Sequence, residues 1–402
     1  MGLLLLSIPF RLWIGYLNYL SFGIVHWRGV EGVIVSVKRK ERRNRRPYWV
    51  FKGKSGQLQL YTSLYHLPAG EGERTLLNRT FSIEVKTQQI SFFRWLTGFY
   101  TPPIGFNFGP PPPLFQWIGA QHQDPQLAHL FQALFFGGGI DFPLRKKLGG
   151  LGVAPLVALS GLHLGLISTL LFLLLYPLYR PLHLHFFPDR NLYFDLGVTI
   201  LGVELLYLIL TQFPPSLVRA YGMEVAGFLF LYYRLQFNFP FFVALTFLIC
   251  WWLSPGALLS LGFFFSIWAI FLIYLYFHHL PISRWTLLFL PIYLSVQMLP
   301  VVHHFFPPLS PYFPLSPFIS LLFPLFYIGE LLLHLIGAGN LLDPLLHNYF
   351  QLGEELYPLP IPDWFFFVTL FTQLLSSWSR SLFLLSPGIL GGVWGGWFLL
   401  SQ

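Results

Sequence analysis

Apolar runs, most of them close to the roughly 20 residues that span the hydrocarbon of a bilayer, recur along this chain at 3–24, 154–178, 192–213, 217–235, 239–253, 257–277, 285–302, 318–336, 364–375 and 382–400. They predict a polytopic α-helical membrane protein with about 8–10 spans. The run at 239–253 is short, and Pro177, Pro291, Pro300 and Pro324 interrupt or bound others. Re-entrant or broken helices are therefore expected, in places where protein or a watery cavity covers the freed backbone groups. Arg11 lies inside the first run and no small-x-small site follows, so residues 1–26 read as an uncleaved anchor.

After the first run the period changes from helical to alternating. EGVIVSVKRK, YWVFKGK, GQLQLYTS and RTFSIEVKTQQI are β-branched or aromatic runs punctuated by turn residues. In QLQLY, Gln57, Gln59 and Tyr61 face one way while Leu58 and Leu60 face the other. Residues 27–100 thus read as a small extramembrane all-β domain. The stretch TPPIGFNFGPPPP reads as neither helix nor sheet, and 101–124 as a stiff proline-rich tether. Leu127, Leu130, Phe131, Leu134 and Phe135 form a helical stripe expected at the membrane surface, before the hinge Gly137-Gly138-Gly139 and the basic trio Arg145-Lys146-Lys147. Residues 125–402 then make up the membrane domain.

Composition agrees: 55% of residues are hydrophobic and 10% charged, against about 25% charged in soluble domains. Charge is concentrated in one place. Residues 27–100 carry 14 Lys and Arg against five Glu, a net of +9 in a chain whose total is +8. Seven of the basic residues, Lys38, Arg39, Lys40, Arg42, Arg43, Arg45 and Arg46, are expected on a loop between the first two strands, followed by Tyr48, Trp49 and Phe51. Cations for phosphates beside aromatic platforms for bases suit sequence-tolerant binding of single strands. The plain alternative is a topology signal or an anionic-lipid contact. The single cysteine, Cys250, excludes an intrachain disulfide and a Cys-based zinc cluster. No cofactor or metal is expected, and no GxxxxGK[ST] run offers a nucleotide site.

Polar groups inside apolar runs are the candidate chemistry, because a charge at membrane depth costs about 3 kcal/mol or more. They are Asp195, Glu204, Arg219, Glu224 and Glu330, together with the cluster in ALSGLHLGLI, 158–167. There Ser160 and His163 share a helical face, while Gly161 and Gly165 have the spacing that admits a second backbone. The plain alternative is a helix-packing motif with a satisfied histidine. A Ser160 nucleophile with His163 as base lacks a neighbouring acid to orient it, so no enzyme activity is expected.

This run resembles the SGLH signature of the ComEC family, the inner-membrane DNA-uptake channels of naturally transformable bacteria. Leu134 to Val157 resembles the approach to that signature. PPSLVRAYGM, 214–223, is similar to the family's proline-serine-x-x-arginine-alanine stretch through Ser216, Arg219, Ala220 and Met223. GFFFSIWAIF, 262–271, is similar to its glycine-phenylalanine-glutamine-leucine-serine helix through Gly262, Phe263, Ser266 and Ala269, but Phe264 replaces the glutamine. The resemblance implies a channel conducting single-stranded DNA into the cytoplasm, with Ser160, Gly161, His163, Gly165, Ser216, Arg219 and Ser266 lining or shaping the pore. It implies that the β domain is an OB-fold on the periplasmic side. The partners implied are single-stranded DNA, the lipid bilayer, a periplasmic DNA receptor and a cytoplasmic helicase or translocase motor. HLHFFPD, 183–189, has the wrong spacing for the metal run of the nuclease module that many relatives carry. Any strand degradation is accordingly expected from a separate nuclease. The competing reading is an ion- or proton-coupled small-solute transporter, pointed to by Glu204, Glu330 and the proline breaks. The basic β domain counts against it.

Overall fold

The computed structural model describes residues 2–23, 27–42, 45–56, 58–67, 72–236, 238–254, 258, 260–306, 308–353, 356–358, 361–386, 388 and 392. The helices are α1 (Gly2–Gly23), α2 (Glu73–Leu76), α3 (Phe92–Thr97), α4 (Pro113–Gly119), α5 (Pro125–Phe136), α6 (Phe142–Gly150), α7 (Ala154–Val157), α8 (Gly161–Phe186), α9 (Leu192–Leu210), α10 (Pro215–Tyr232), α11 (Phe239–Leu253), α12 (Leu261–His279), α13 (Arg284–Phe305), α14 (Ser316–Leu335), α15 (Asp343–Gln351) and α16 (Asp363–Leu375). Among the described residues five segments are long and apolar enough to cross a membrane: α8, α9, α12, α13 and 313–335, which contains α14. The chain is a multi-pass membrane protein. Of the sequence runs outside these five, α11 and α16 are apolar but shorter, α10 carries Arg219 and Glu224, and most of 382–400 lies outside the described residues. Pro177 and Pro181 sit inside α8, Pro291 and Pro300 inside α13 and Pro324 inside α14, all continuous helices rather than broken ones. Neighbouring groups and local adjustment make this tolerable in membrane helices.

The chain forms two compact units. The first, residues 1–142, 158–263 and 337–340, joins the β domain to α8–α11. Its sheet contains β1 (Trp27–Arg42), β2 (Arg45–Ser55), β3 (Leu58–Leu64), β4 (Thr80–Lys86), β5 (Phe99–Tyr100) and β6 (Ile104–Phe108), in the order β5-β3-β2-β1-β4-β6. β1 belongs to two pairings, with β4 from Trp27 to Val33 and with β2 from Val33 to Arg42. A register shift between Ile34 and Ser36 marks the bend. Gly32 is needed there: a Cβ would stand 2.2 Å from the Lys54 carbonyl oxygen. Val30, Ile34, Val37, Phe51, Leu60, Phe81, Ile83 and Val85 fill the core, and Phe22 from the last turn of α1 packs among them. In β3 the expected alternation holds, with Leu60 buried and Gln59 and Tyr61 on the other face; Gln57 lies outside the described residues.

One expectation is overturned here. Residues 104–108 are not tether but β6, paired antiparallel with β4; Phe106 and Phe108 pack against the core, and their burial outweighs the surrounding prolines. α5 is packed inside the protein, with Leu127 through Phe135 all buried. Capping explains its limits: Asp124 accepts the Gln126 N–H at 2.8 Å, Pro125 opens the first turn, and Gly137 closes it in the left-handed region at φ 71°. Burial holds the His129 imidazole on α5 below its ordinary pKa, against the opposing pull of Asp141.

The second unit, residues 143–157, 264–336 and 341–402, has a core of Leu272, Leu275, Tyr276, Tyr293 and Phe383. Beside it a chain of amides crosses the helices. Trp268 donates to Gln373 at 2.7 Å, Gln373 to Gln297 at 2.8 Å, and Gln297 to Ser386 at 2.7 Å. Phe264, in place of the family's glutamine, stacks on Trp268 with centroids 5.8 Å apart.

Asn78 ties the β domain to the segment after α5. Its amide donates to Gln132 Oε1 at 2.6 Å and the Gly139 carbonyl at 3.2 Å, and its Oδ1 accepts the Gly139 N–H at 2.6 Å. It also takes φ 62°, which asparagine tolerates better than most side chains. Asn78→Ala leaves a buried donor and acceptor unmet and is expected to cost about 2 kcal/mol or more, read as a lowered melting temperature of the protein in detergent; Asn78→Asp restores none of the two donor contacts and is expected to fall with it.

Candidate functional site

In the first unit the matched motifs meet. Ser160 is the N-cap of α8; its Oγ lies 2.9 Å from His163 Nδ1, and its backbone N–H donates to the same nitrogen at 3.2 Å. Nδ1 therefore acts as an acceptor, which places the ring proton on Nε2 when the imidazole is neutral. His163 is fully buried. This is reciprocal capping, so the pair's first task is to start a membrane helix.

Gly161 touches the second motif: a Cβ there would lie 3.6 Å from Ala220 Cβ on α10. Gly165 does not act as its partner in close packing, since a Cβ there would meet nothing within 4 Å; the spacing is present but that face of α8 is open. Ser216, half-buried, stands in the first turn of α10. Arg219, buried, donates to Ser260 Oγ at 3.3 Å, and its Nη2 would lie 3.0 Å from a Cβ on Gly262. The absent side chain of the third motif thus makes room for the guanidinium of the second. Ser260, which sequence reading missed, also accepts the Phe263 N–H at 3.2 Å; its one signal was a helix-capping serine before an apolar run. Ser266 belongs to the second unit and is not among the residues this cluster joins.

The other membrane charges have partners too. Asp195 accepts from Arg190 at 2.7 Å and Tyr179 at 2.8 Å. Glu204 and Glu224 meet at the Ser168 hydroxyl. Glu330, in the second unit, lies 3.4 Å from His334. Arg11 on α1 donates to the Trp252 carbonyl at 2.9 Å.

The basic segment is not a loop. Lys38, Arg39, Lys40 and Arg42 are on β1, and Arg45 and Arg46 on β2, paired as Arg39↔Trp49, Lys40↔Tyr48 and Arg42↔Arg45; Arg43 lies outside the described residues. Because β3 pairs with β2 only as far as Trp49↔Leu64, these charges ride a two-stranded ribbon. Phe51, 1% exposed, is a core residue and no stacking platform, and Trp49 packs partly against the same core. Alternation instead turns Lys38, Lys40, Tyr48, Lys52, Tyr61 and Ser63 to the outer face. Lys52 lies 5.6 Å from the Tyr61 ring centroid, Ser63 bonds Tyr100 at 2.6 Å, and Tyr48 meets Tyr65 at 6.3 Å. Tyr65 and Tyr100 are 67% and 60% exposed. Farther along this face Lys54 lines a cavity of about 90 Å³ with Val33, Leu114, Phe136 and Gln212. Burial, helped by Lys52, pushes its ammonium down to a pKa of about 7.

The fold and site define a multi-pass helical membrane protein with a basic, tyrosine-bearing β domain outside the bundle. Residues 135–395 match the Competence protein family, and the chain belongs to this family, that of ComEC-like DNA-uptake proteins; it takes part in DNA uptake during competence. No curated protein and no solved structure matches it.

Two outcomes follow. Gly262→Ala displaces the Arg219 guanidinium and is expected to reduce transformation about tenfold at unchanged membrane abundance, since a hydrogen bond to a charged group contributes about 1.5–3 kcal/mol; Gly165→Ala, facing open space, leaves transformation unchanged. Lys54 releases its proton in the folded protein near pH 7, whereas the unfolded chain keeps it to about pH 10.4. Stability therefore rises with pH across that window. Lys54→Met is expected to raise the melting temperature most at and below pH 7, with the gain vanishing toward pH 10.

Proposed function

We propose that the chain is an inner-membrane channel that conducts single-stranded DNA into the cytoplasm, with the β domain on the periplasmic side guiding the strand to its mouth. The observation that carries this reading is the outer β face, where Lys38, Lys40 and Lys52 alternate with Tyr48, Tyr61, Tyr65 and Tyr100 on a competence-family membrane protein. Lysines neutralise phosphates and tyrosines offer rings to bases without choosing among them. The strand order supports an OB-like domain: a β1–β2–β3 meander, β1 shared with β4, the short α2 between β3 and β4, and β3 parallel to β5. In that fold the strand 2–3 face binds oligonucleotides. In the membrane, Arg219 is the cation placed to meet a passing phosphate, with Ser160, Gly161, His163 and Ser260 holding the helices around it.

The Ser160–His163 contact is spent on starting α8, so no catalytic step is assigned to it. Without a nucleotide-binding run in the sequence, the work of pulling falls to a cytoplasmic helicase or translocase, after a periplasmic receptor has delivered the strand.

Full-length protein in nanodiscs is expected to bind oligonucleotides with a salt dependence of about −0.7 in log K per phosphate neutralised. Replacing Arg42, Arg43, Arg45 and Arg46 by glutamine flattens that slope, and Tyr61→Ala weakens binding by about 1–3 kcal/mol. A parent slope in the quadruple variant would mean that the ribbon touches no phosphate. In cells, deletion of the gene abolishes transformation while surface uptake of duplex DNA persists.

A further inference from the structure

Glu204 on α9 and Glu224 on α10 each bring Oε1 to the Ser168 hydroxyl on α8. That hydroxyl also lies 3.1 Å from the Leu164 carbonyl oxygen. Three acceptor oxygens thus face a group with a single proton to give. With both carboxyls ionised, one contact at most is a hydrogen bond to a carboxylate, and the other sets oxygen lone pairs against each other. A proton on either carboxyl removes the conflict, because that carboxyl then donates to Ser168 Oγ while Ser168 donates to its neighbour.

A second observation points the same way. Glu204 is fully buried, and its Oε2 has no hydrogen-bond partner among the described residues. Among the described residues neither carboxyl forms an ion pair with Lys, Arg or His. The groups packed around the pair cannot neutralise it. Tyr221 on α10 faces both carboxyls, but its hydroxyl donates to the Leu201 carbonyl at 3.2 Å. Arg219, farther along α10, is engaged with Ser260. Cys250 on α11 directs its thiol to the Val218 carbonyl at 3.7 Å.

We propose that Ser168, Glu204 and Glu224 form an intramembrane proton-binding site, in which two carboxyls from neighbouring helices share one proton. The ligand is the proton itself. When it leaves, two like charges remain with no Lys, Arg or His ion-paired to either among the described residues, and like-charged carboxylates sharing a site resist joint ionisation. Occupancy by the proton is thereby linked to the packing of α9 on α10. The site stands independently of strand conduction, because it rests on helices that meet whether or not DNA is present.

The test is infrared difference spectroscopy between neutral and alkaline pH on full-length protein in nanodiscs, following the C=O stretch of a protonated carboxyl. Glu330→Gln serves as the background, since Glu330 is the other fully buried glutamate among the described residues. The background protein is expected to show one protonated-carboxyl band at neutral pH that disappears on alkalinisation, and adding Glu204→Gln and Glu224→Gln together is expected to remove it. The melting temperature of the background protein should fall across the same pH interval, and that fall should be absent when both glutamines are present. A background protein with no such band at neutral pH overturns the proposal without recourse to the double variant. So does a band that persists unchanged when both glutamates are replaced.

Discussion

Within the hydrocarbon of a bilayer a polar group has no water to fall back on, so each must find its partner inside the protein or face a watery cavity. Many polar groups of the described membrane segments meet this constraint, while some buried polar atoms, Glu204 Oε2 among them, have no hydrogen-bond partner among the described residues. Ser160 and His163 cap the start of α8 between themselves, Arg11 takes a backbone carbonyl, and Trp268, Gln373 and Gln297 form a chain of hydrogen bonds through the second unit. Thr169, Thr199 and Thr372 turn their hydroxyls back onto their own helices. Functional groups have to be read against this background, because a polar contact in such a setting is first an obligation of burial. Arg219 is the buried cation of the matched motifs, and it donates to the Ser260 hydroxyl.

That charge sits where the motifs converge. Gly161 against Ala220, and Gly262 against Arg219, allow helices of the first unit to close around a cation, and larger side chains at either glycine would push them apart. The same unit carries the β domain, bound to α1 through Phe22 and to α5 through Asn78 and Gln132. A basic, tyrosine-bearing β face is thus built into the unit that contains the buried arginine.

The membrane class, the alternating period of β3 and the residues of the converging motifs were all legible in the sequence, because each rests on local pattern. What escaped depended on tertiary partners. Alternating lysines and arginines read equally well as loop or ribbon, and only the pairing of β1 with β2 decides. Phe51 and Tyr48 are both aromatics beside a basic run; the pleat sends one into the core and the other outward. The prolines around 104–108 hid a strand whose phenylalanines complete a core formed by residues far away in sequence. Glu204 and Glu224 each registered as costly intramembrane acids, but their meeting at Ser168 depends on how α8, α9 and α10 pack.

The central claim is that a DNA strand crosses the β face and then the converged motifs of the bundle. A photo-cross-linking amino acid placed singly at Tyr61 and at Ser216, in cells taking up labelled DNA, tests it most directly. The account predicts adducts to single-stranded transforming DNA at both positions, with none at the exposed Leu325 of α14. Adducts confined to Tyr61 under conditions of full transformation would contradict a passage through the Ser160–Arg219 cluster.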